Sequence, residues 1–112
     1  MKKNIQYCVV GLSHKSADLN TRGNFSLDKD QIEKLLAQAK KDGLEELIVI
    51  STCNRTELMG IVHDPKILID YLCSFSGGEV SVFLQKGYVL SDRNALDHVF
   101  RVGCGLDSQI IG

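Results

Sequence analysis

The fold is decided by the stretch ELIVISTCNRTELMGIVH, residues 46–63, in which two apolar segments flank a short polar one. Residues 46–51 contain a continuous apolar run, which predicts a central strand that is buried on both faces of a sheet. Residues 57–63 have the composition of a second strand. The intervening letters TCNR then form a strand-to-strand turn, and this turn carries a cysteine and an arginine two residues apart.

The remaining segments of the chain lie on both sides of these two strands. Residues 5–12 are β-rich, residues 13–27 are polar and predict a long loop, and residues 28–41 have the i, i+3, i+4, i+7 apolar spacing of a helix. The further elements are a helix that starts at Asp64-Pro65 and ends at Gly77-Gly78, a β-like segment at 80–90 and a helix at 92–102. The order β-α-β-β-α-β plus a C-terminal helix predicts an α+β, ferredoxin-like two-layer sandwich with an antiparallel sheet and two helices on one face.

The predicted helix at 92–102 contains His98, whose side-chain direction can be estimated from the helical repeat. Leu96, Val99 and Phe100 form the expected apolar stripe of this helix. His98 lies roughly 160–200° around the helix from the Leu96/Phe100 side, so it is expected off the main core face. Two interpretations remain open: a solvent-exposed histidine, or one aimed into a cleft as an acid, a base or a hydrogen-bond donor.

Composition limits the classes of function. The 112 residues suit one domain, and the 44% hydrophobic and 24% charged residues are ordinary for a globular protein. A net charge of −1 with scattered arginines does not favour a nucleic-acid or polybasic membrane surface. The apolar runs are far shorter than the roughly 20 residues that span a bilayer. No C-x-x-C pair occurs among the four cysteines, and without a secretory signal we expect reduced thiols in the cytoplasm.

Cys53 and Arg55 are the strongest candidates for chemistry. The polar neighbours of Cys53 predict an exposed segment, and a nearby guanidinium favours the nucleophilic thiolate. The planar fork of Arg55 can hold a carboxylate through two parallel hydrogen bonds. The residues alone leave two alternatives open: an incidental turn cysteine, and a surface salt bridge from Arg55 to Glu57 or Asp64.

Metal and nucleotide sites are disfavoured. His14 and His63 do not combine with the cysteines into the close ligand pairs typical of zinc. Neither G-x-G-x-x-G nor a Walker loop is present, so no nucleotide-binding motif appears. The rival functions are a non-catalytic α+β module that binds a small carboxylate through Arg55 and a metal-binding domain.

Three segments together resemble a known family. GLSHKSA (11–17), STCNRTEL (51–58) and HVFRVGCGLDSQIIG (98–112), in this order, are similar to glutamyl-tRNA reductase. The resemblance implies a cysteine thiolate that attacks the ester joining glutamate to its tRNA. It also implies that NADPH then reduces the resulting thioester to glutamate-1-semialdehyde, the first step of tetrapyrrole synthesis.

The resemblance assigns roles by motif position. It makes Cys53 the nucleophile and His98 a histidine required for activity. It implies that the glutamyl substrate is contacted by Thr52, Asn54, Arg55 and Ser108. Ser13, Asp18 and Gly23 depart from the family pattern in the opening loop.

The resemblance also implies a larger protein around this chain. Residues 1–112 are expected to be a single catalytic domain, with the NADPH-binding and dimerisation domains outside the chain. The implied partners are glutamyl-tRNA, a second copy of the full-length protein and glutamate-1-semialdehyde aminomutase, with no membrane. No metal is implied, and NADPH is expected to bind a domain absent from this chain.

Overall fold

The computed structural model describes residues 5–44, 46–105 and 110–111, with side chains as far as residue 102. The strands in these ranges are β1 (Gln6–Ser13), β2 (Leu47–Ser51), β3 (Arg55–Val62), β4 (Tyr88–Ser91) and β5 (Ile110–Ile111). The helices are α1 (Leu19–Phe25), α2 (Lys29–Lys41), α3 (Lys66–Phe75), α4 (Val80–Lys86) and α5 (Asp92–Gly105). Among them, none has both the length and the apolar character that crossing a bilayer requires.

The sheet confirms the predicted fold class. Its strand order is β4-β1-β3-β2-β5, and every neighbouring pair is antiparallel. Because β3 lies between β1 and β2 and is antiparallel to both, these two run parallel to each other. This is the split β-α-β arrangement of a ferredoxin-like fold.

The two faces of the sheet bury different clusters. Alternate residues of each strand point to opposite faces, so Val10 and Leu58 face the larger core while Val9 and Met59 face the smaller one. Helices α1 to α4 cover the larger core, and α5 covers the smaller core through Ala95. The prediction of two helices on one face is therefore incomplete, because α5 adds a third layer on the opposite face.

Helix α2 begins and ends close to the predicted positions. Asp28 accepts a hydrogen bond from the Gln31 N–H, and the Gln31 side chain accepts one from the Asp28 N–H, which completes a capping box. Lys40 and Lys41 occupy the last turn, and Gly43 follows with a φ of 94°. These local signals are strong enough to set the helix without tertiary information.

Two segments differ from their predicted conformations. The predicted loop at 13–27 contains α1, whose N-cap Asp18 accepts a hydrogen bond from the Thr21 N–H at 2.8 Å. The predicted strand at 80–90 is helix α4 followed by β4 after Gly87. Phe83 explains this change, because the helix places its ring edge-on against Phe25 with a centroid distance of 6.2 Å. Packing of this aromatic pair overrides the β-propensity of the valines.

The predicted apolar stripe of α5 is wrong for Leu96 and Phe100, whereas its third residue, Val99, packs against the smaller core. Leu96 and Phe100 are exposed, whereas Ala95 is fully buried against the sheet. The side chain of His98 is only 15% exposed and therefore shares the covered face of the helix. The face of α5 that covers the smaller core carries Ala95 and Val99, so the largest apolar side chains of the helix remain outside.

Candidate functional site

The turn between β2 and β3 presents Cys53 to solvent. The Thr52 N–H donates to the Arg55 carbonyl at 2.8 Å, and the Thr52 hydroxyl accepts hydrogen bonds from the N–H groups of Asn54 and Arg55. Cys53 and Asn54 are exposed, as expected from the sequence. The predicted substrate contact Thr52 thus uses its hydroxyl oxygen to order the turn.

The end of β1 supports the same turn. The His14 N–H donates to the Asn54 carbonyl at 2.9 Å, and Ser13 is the register partner of Arg55 on β3. These backbone contacts fix the turn from a neighbouring strand. The Cys53 thiol is therefore carried by a defined turn at one end of the sheet.

Arg55 directs its guanidinium towards the face of the sheet that α5 covers. Its Nη1 donates to Glu57 Oε2 at 3.4 Å, and the Glu57 side chain is fully buried. Arg55 therefore forms the salt bridge to Glu57 that the sequence left open, but this salt bridge is not on the surface, because the Glu57 side chain is buried. Within the described residues, the hydrogen bonds of the Arg55 side chain involve Nη1 alone, so its other N–H groups are available to a ligand.

Glu57 collects three donors on one carboxylate oxygen. In addition to Arg55, the Tyr88 hydroxyl and His98 Nε2 form hydrogen bonds to Oε2. A buried carboxylate without such partners would be strongly unfavourable, so the three contacts explain how the charge is tolerated. Three elements, β3, β4 and α5, meet at this oxygen.

The Tyr88 hydroxyl remains protonated in this environment. Burial, followed by the charge and hydrogen bond of Glu57, raises the pKa of Tyr88, while Arg55 and Ser13 oppose the shift. Tyr88 is therefore a permanent donor to Glu57 at neutral pH. Because a carboxylate oxygen accepts hydrogen bonds, we assign the hydrogen of the His98 ring to Nε2, which leaves Nδ1 for other partners.

Sequence reasoning did not identify Tyr88 and considered Glu57 only as a salt-bridge partner. The alternation of β3 was a usable signal, because it puts Arg55 and Glu57 on the same face. No local pattern connects Tyr88 with Glu57, since 31 residues separate them. Of the predicted site residues, the structure brings Arg55 and His98 together through Glu57, and Ser108 lies outside the described residues.

The other cysteines differ from Cys53. Cys8 is fully buried as a small hydrophobic residue of the larger core, and Cys73 is partly buried against the same core. Burial raises the pKa of both thiols, which keeps them protonated and poorly nucleophilic. The side chain of Cys104 is outside the described part of the structure. Among the described cysteines, Cys53 alone is exposed.

A metal site finds no support in the described ranges. No group of three or more histidine, cysteine, aspartate or glutamate side chains there is arranged to hold an ion. His14 and His63 are both exposed. Glu57 and His98 are in contact, but they form a hydrogen bond with each other.

Known proteins resemble this chain along almost all of its length. Residues 10–112 match the family described as "Glutamyl-tRNAGlu reductase, N-terminal domain". Glutamyl-tRNA reductase 2 of Flavobacterium johnsoniae is 48% identical over 112 residues, which are 100% of this chain and 26% of that protein. Glutamyl-tRNA reductase of Prochlorococcus marinus is 36% identical over 109 residues, covering 93% of this chain and 25% of its own length.

A solved structure supports the fold. Glutamyl-tRNA reductase from Methanopyrus kandleri matches with a TM-score of 0.66 and 22% sequence identity, over 96% of this chain and 24% of that chain. At 22% sequence identity, this match supports the similarity of the folds alone. The chain spans about a quarter of the length of the relatives that it matches.

Proposed function

The chain belongs to the family of glutamyl-tRNA reductase N-terminal domains, and we propose that it performs the acyl-transfer half of that enzyme's reaction. In this proposal Cys53 takes the glutamyl group from glutamyl-tRNA as a thioester. The observation that carries the proposal is the exposed Cys53 on a turn that leads directly into Arg55 and the Glu57–His98 pair.

Substrate binding would depend on Arg55. Its guanidinium is held by Glu57 through Nη1, so its remaining N–H groups can bind the carboxylate of a glutamyl group. Asn54 is exposed beside Cys53 and would contact the same group, as would Ser108 by family resemblance. A substrate held by Arg55, two residues from Cys53 in the chain, would be attacked in an effectively intramolecular step.

The acyl transfer forms one bond and breaks one bond. The Cys53 thiolate attacks the ester carbonyl carbon, a C–S bond forms, and the C–O bond to the terminal ribose of the tRNA breaks. The departing ribose oxygen takes a proton and leaves as a hydroxyl group. His98 Nδ1 would first accept the proton of the Cys53 thiol and then give this proton to the ribose oxygen, because its Nε2–H is directed to Glu57.

Reduction of the thioester requires a hydride donor, which NADPH supplies in the proposed full reaction. The residues of this chain do not fit a dinucleotide. The described sheet is antiparallel and lacks the parallel β-α-β switch point of such sites, and no G-x-G-x-x-G turn occurs in the sequence. No reduction step is therefore assigned to these residues, and NADPH would bind elsewhere in the full-length protein.

Cys53 should become covalently labelled with the glutamyl group of its substrate. The chain is incubated with tRNA charged with radiolabelled glutamate, and label on precipitated protein is measured together with loss of glutamyl-tRNA. We expect label that neutral hydroxylamine releases, as it does thioesters. Cys53→Ala should carry none.

The matched control is Cys73→Ala, which removes a partly buried thiol and should label like the unchanged chain. Label that persists in Cys53→Ala would refute the assignment of the nucleophile. If the unchanged chain neither acquires label nor speeds the loss of glutamyl-tRNA, the acyl-transfer proposal itself fails.

A further inference from the structure

The Glu57 carboxylate reaches Tyr88 by crossing a whole strand. Glu57 on β3 pairs with Gly11 on β1, and Gly11 in turn pairs with Tyr88 on β4. Since neighbouring strands lie about 4.8 Å apart, the two Cα atoms are separated by roughly 10 Å across the sheet. The hydrogen bond between the two side chains bridges this gap.

Gly11 makes the crossing possible. A Cβ atom at this position would lie 2.7 Å from Glu57 Cγ and 2.4 Å from the Thr56 carbonyl oxygen. Any side chain at position 11 would therefore occupy the space through which Glu57 extends. The glycine is needed for close approach of a side chain, in accordance with the use of glycine in strand interiors.

Tyr88 contacts the histidine as well as the carboxylate. The phenol ring and the His98 imidazole have a centroid distance of 5.7 Å and an interplanar angle of 59°. The Tyr88 hydroxyl and His98 Nε2 both bind Glu57 Oε2. One tyrosine thus restrains the histidine twice, through its ring and through the shared carboxylate.

We infer that Tyr88 is a positioning residue, which holds Glu57 and His98 in a single arrangement with the His98 Nε2–H directed to the Glu57 carboxylate. The hydrogen bond from Tyr88 to Glu57 passes through the space that the absent side chain of Gly11 leaves open. Tyr88 acts through these two groups and does not need to touch the substrate. Its effect on rate rests on the proposed acyl transfer. Its effect on the imidazole does not.

The decisive experiment observes the His98 ring directly. Nitrogen and proton NMR signals of the imidazole are recorded in the unchanged 112-residue chain and in Tyr88→Phe, which keeps the ring and removes the hydroxyl. We expect the signature of the Nε2–H tautomer in the unchanged chain and an altered His98 signature in Tyr88→Phe. Tyr71→Phe is the matched control, because it also removes a tyrosine–carboxylate hydrogen bond, to Asp42, but on the other side of the sheet.

An unchanged His98 signature in Tyr88→Phe would overturn the inference. If that variant does not fold, the unchanged chain still decides the matter, because nuclear Overhauser contacts between the Tyr88 and His98 rings must be present. Their absence would also overturn it.

The kinetic readout separates positioning from binding. In Tyr88→Phe the rate of thioester formation at saturating glutamyl-tRNA should fall roughly tenfold, the size expected for one hydrogen bond in a buried network. The substrate concentration for half-maximal rate should stay the same. If neither the unchanged chain nor Tyr88→Phe forms thioester while the His98 NMR signature changes as expected, the acyl-transfer proposal fails and the positioning role of Tyr88 stands.

Discussion

At the level of single residues, Glu57 is a buried acidic side chain within strand β3, and the strand's own sequence does not reveal its partners. Its neighbours Thr56 and Leu58 are buried on the opposite face, and Glu57 is buried on the α5 face beside Met59. A glutamate in such a strand needs partners from other elements, which Tyr88 and His98 provide. The acidic residue thereby links the strand that follows the Cys53 turn to His98 of α5, 41 residues after Glu57.

Replacing His98 by glutamine should separate its two roles. The amide nitrogen of His98→Gln can still donate to Glu57, but it cannot exchange a proton with the substrate. We expect thioester formation to slow by roughly 10² to 10³-fold, as is usual for loss of a general acid or base, with little change in stability. His63→Gln replaces an exposed histidine and is the matched control. A rate in His98→Gln equal to that of the control would rule out proton transfer by His98.

Gly11→Ala should destabilise the protein because the new methyl group has no room. It would meet Glu57 Cγ at 2.7 Å and the Thr56 carbonyl oxygen at 2.4 Å, so a loss of about 1–3 kcal/mol in unfolding free energy is expected. Gly23→Ala is the control, because a Cβ there meets nothing within 4 Å and the position lies in helix α1. Urea unfolding of both variants measures the difference. Equal stabilities would mean that β1 and β3 adjust freely around position 11.

At the scale of elements, prediction succeeded where local signals agree. The capping box at Asp28 and Gln31, the lysines of the last turn and Gly43 all predict the same helix, and the structure contains it. Prediction failed for α4, whose valines favour a strand. The deciding contact there is between Phe83 and Phe25, which no local pattern contains.

Truncation of Phe83 tests whether this contact holds α4 on the larger core. Phe83 is 1% exposed and packs edge-on against Phe25, so Phe83→Ala should lower the unfolding free energy by about 3–5 kcal/mol. Leu84→Ala on the exposed side of the same helix is the control and should change it by less than about 0.5 kcal/mol. Denaturant titration followed by circular dichroism measures both. Similar losses in the two variants would contradict the described orientation of α4.

At the scale of the whole molecule, alkaline pH should weaken the fold through Tyr71. Burial, followed by the hydrogen bond and charge of Asp42, raises the pKa of Tyr71 to about 12. An unfolded tyrosine loses its proton near pH 10, so between about pH 10 and 12 the folded state binds more protons and stability falls as pH rises. The stabilising contribution of Tyr71 is therefore complete below about pH 10.

The measurement compares the unfolding free energies of the unchanged chain and Tyr71→Phe from pH 8 to pH 12. The advantage of the unchanged chain should be constant up to about pH 10 and then shrink. Lysines that titrate in the same range are common to both proteins and cancel in the difference. A difference that does not depend on pH would show that the Tyr71–Asp42 hydrogen bond makes no net contribution.

The α+β fold class, helix α2 and the exposure of Cys53 on the turn before Arg55 could all be predicted from the sequence. These properties follow from short-range patterns, namely apolar runs, caps and turn residues that lie next to each other along the chain. The position of α5 on the second face of the sheet and the meeting of Tyr88 and His98 at Glu57 were visible only in the folded structure. Contacts of this kind depend on sheet register and on the space left by Gly11, and both exist only after distant segments have packed together.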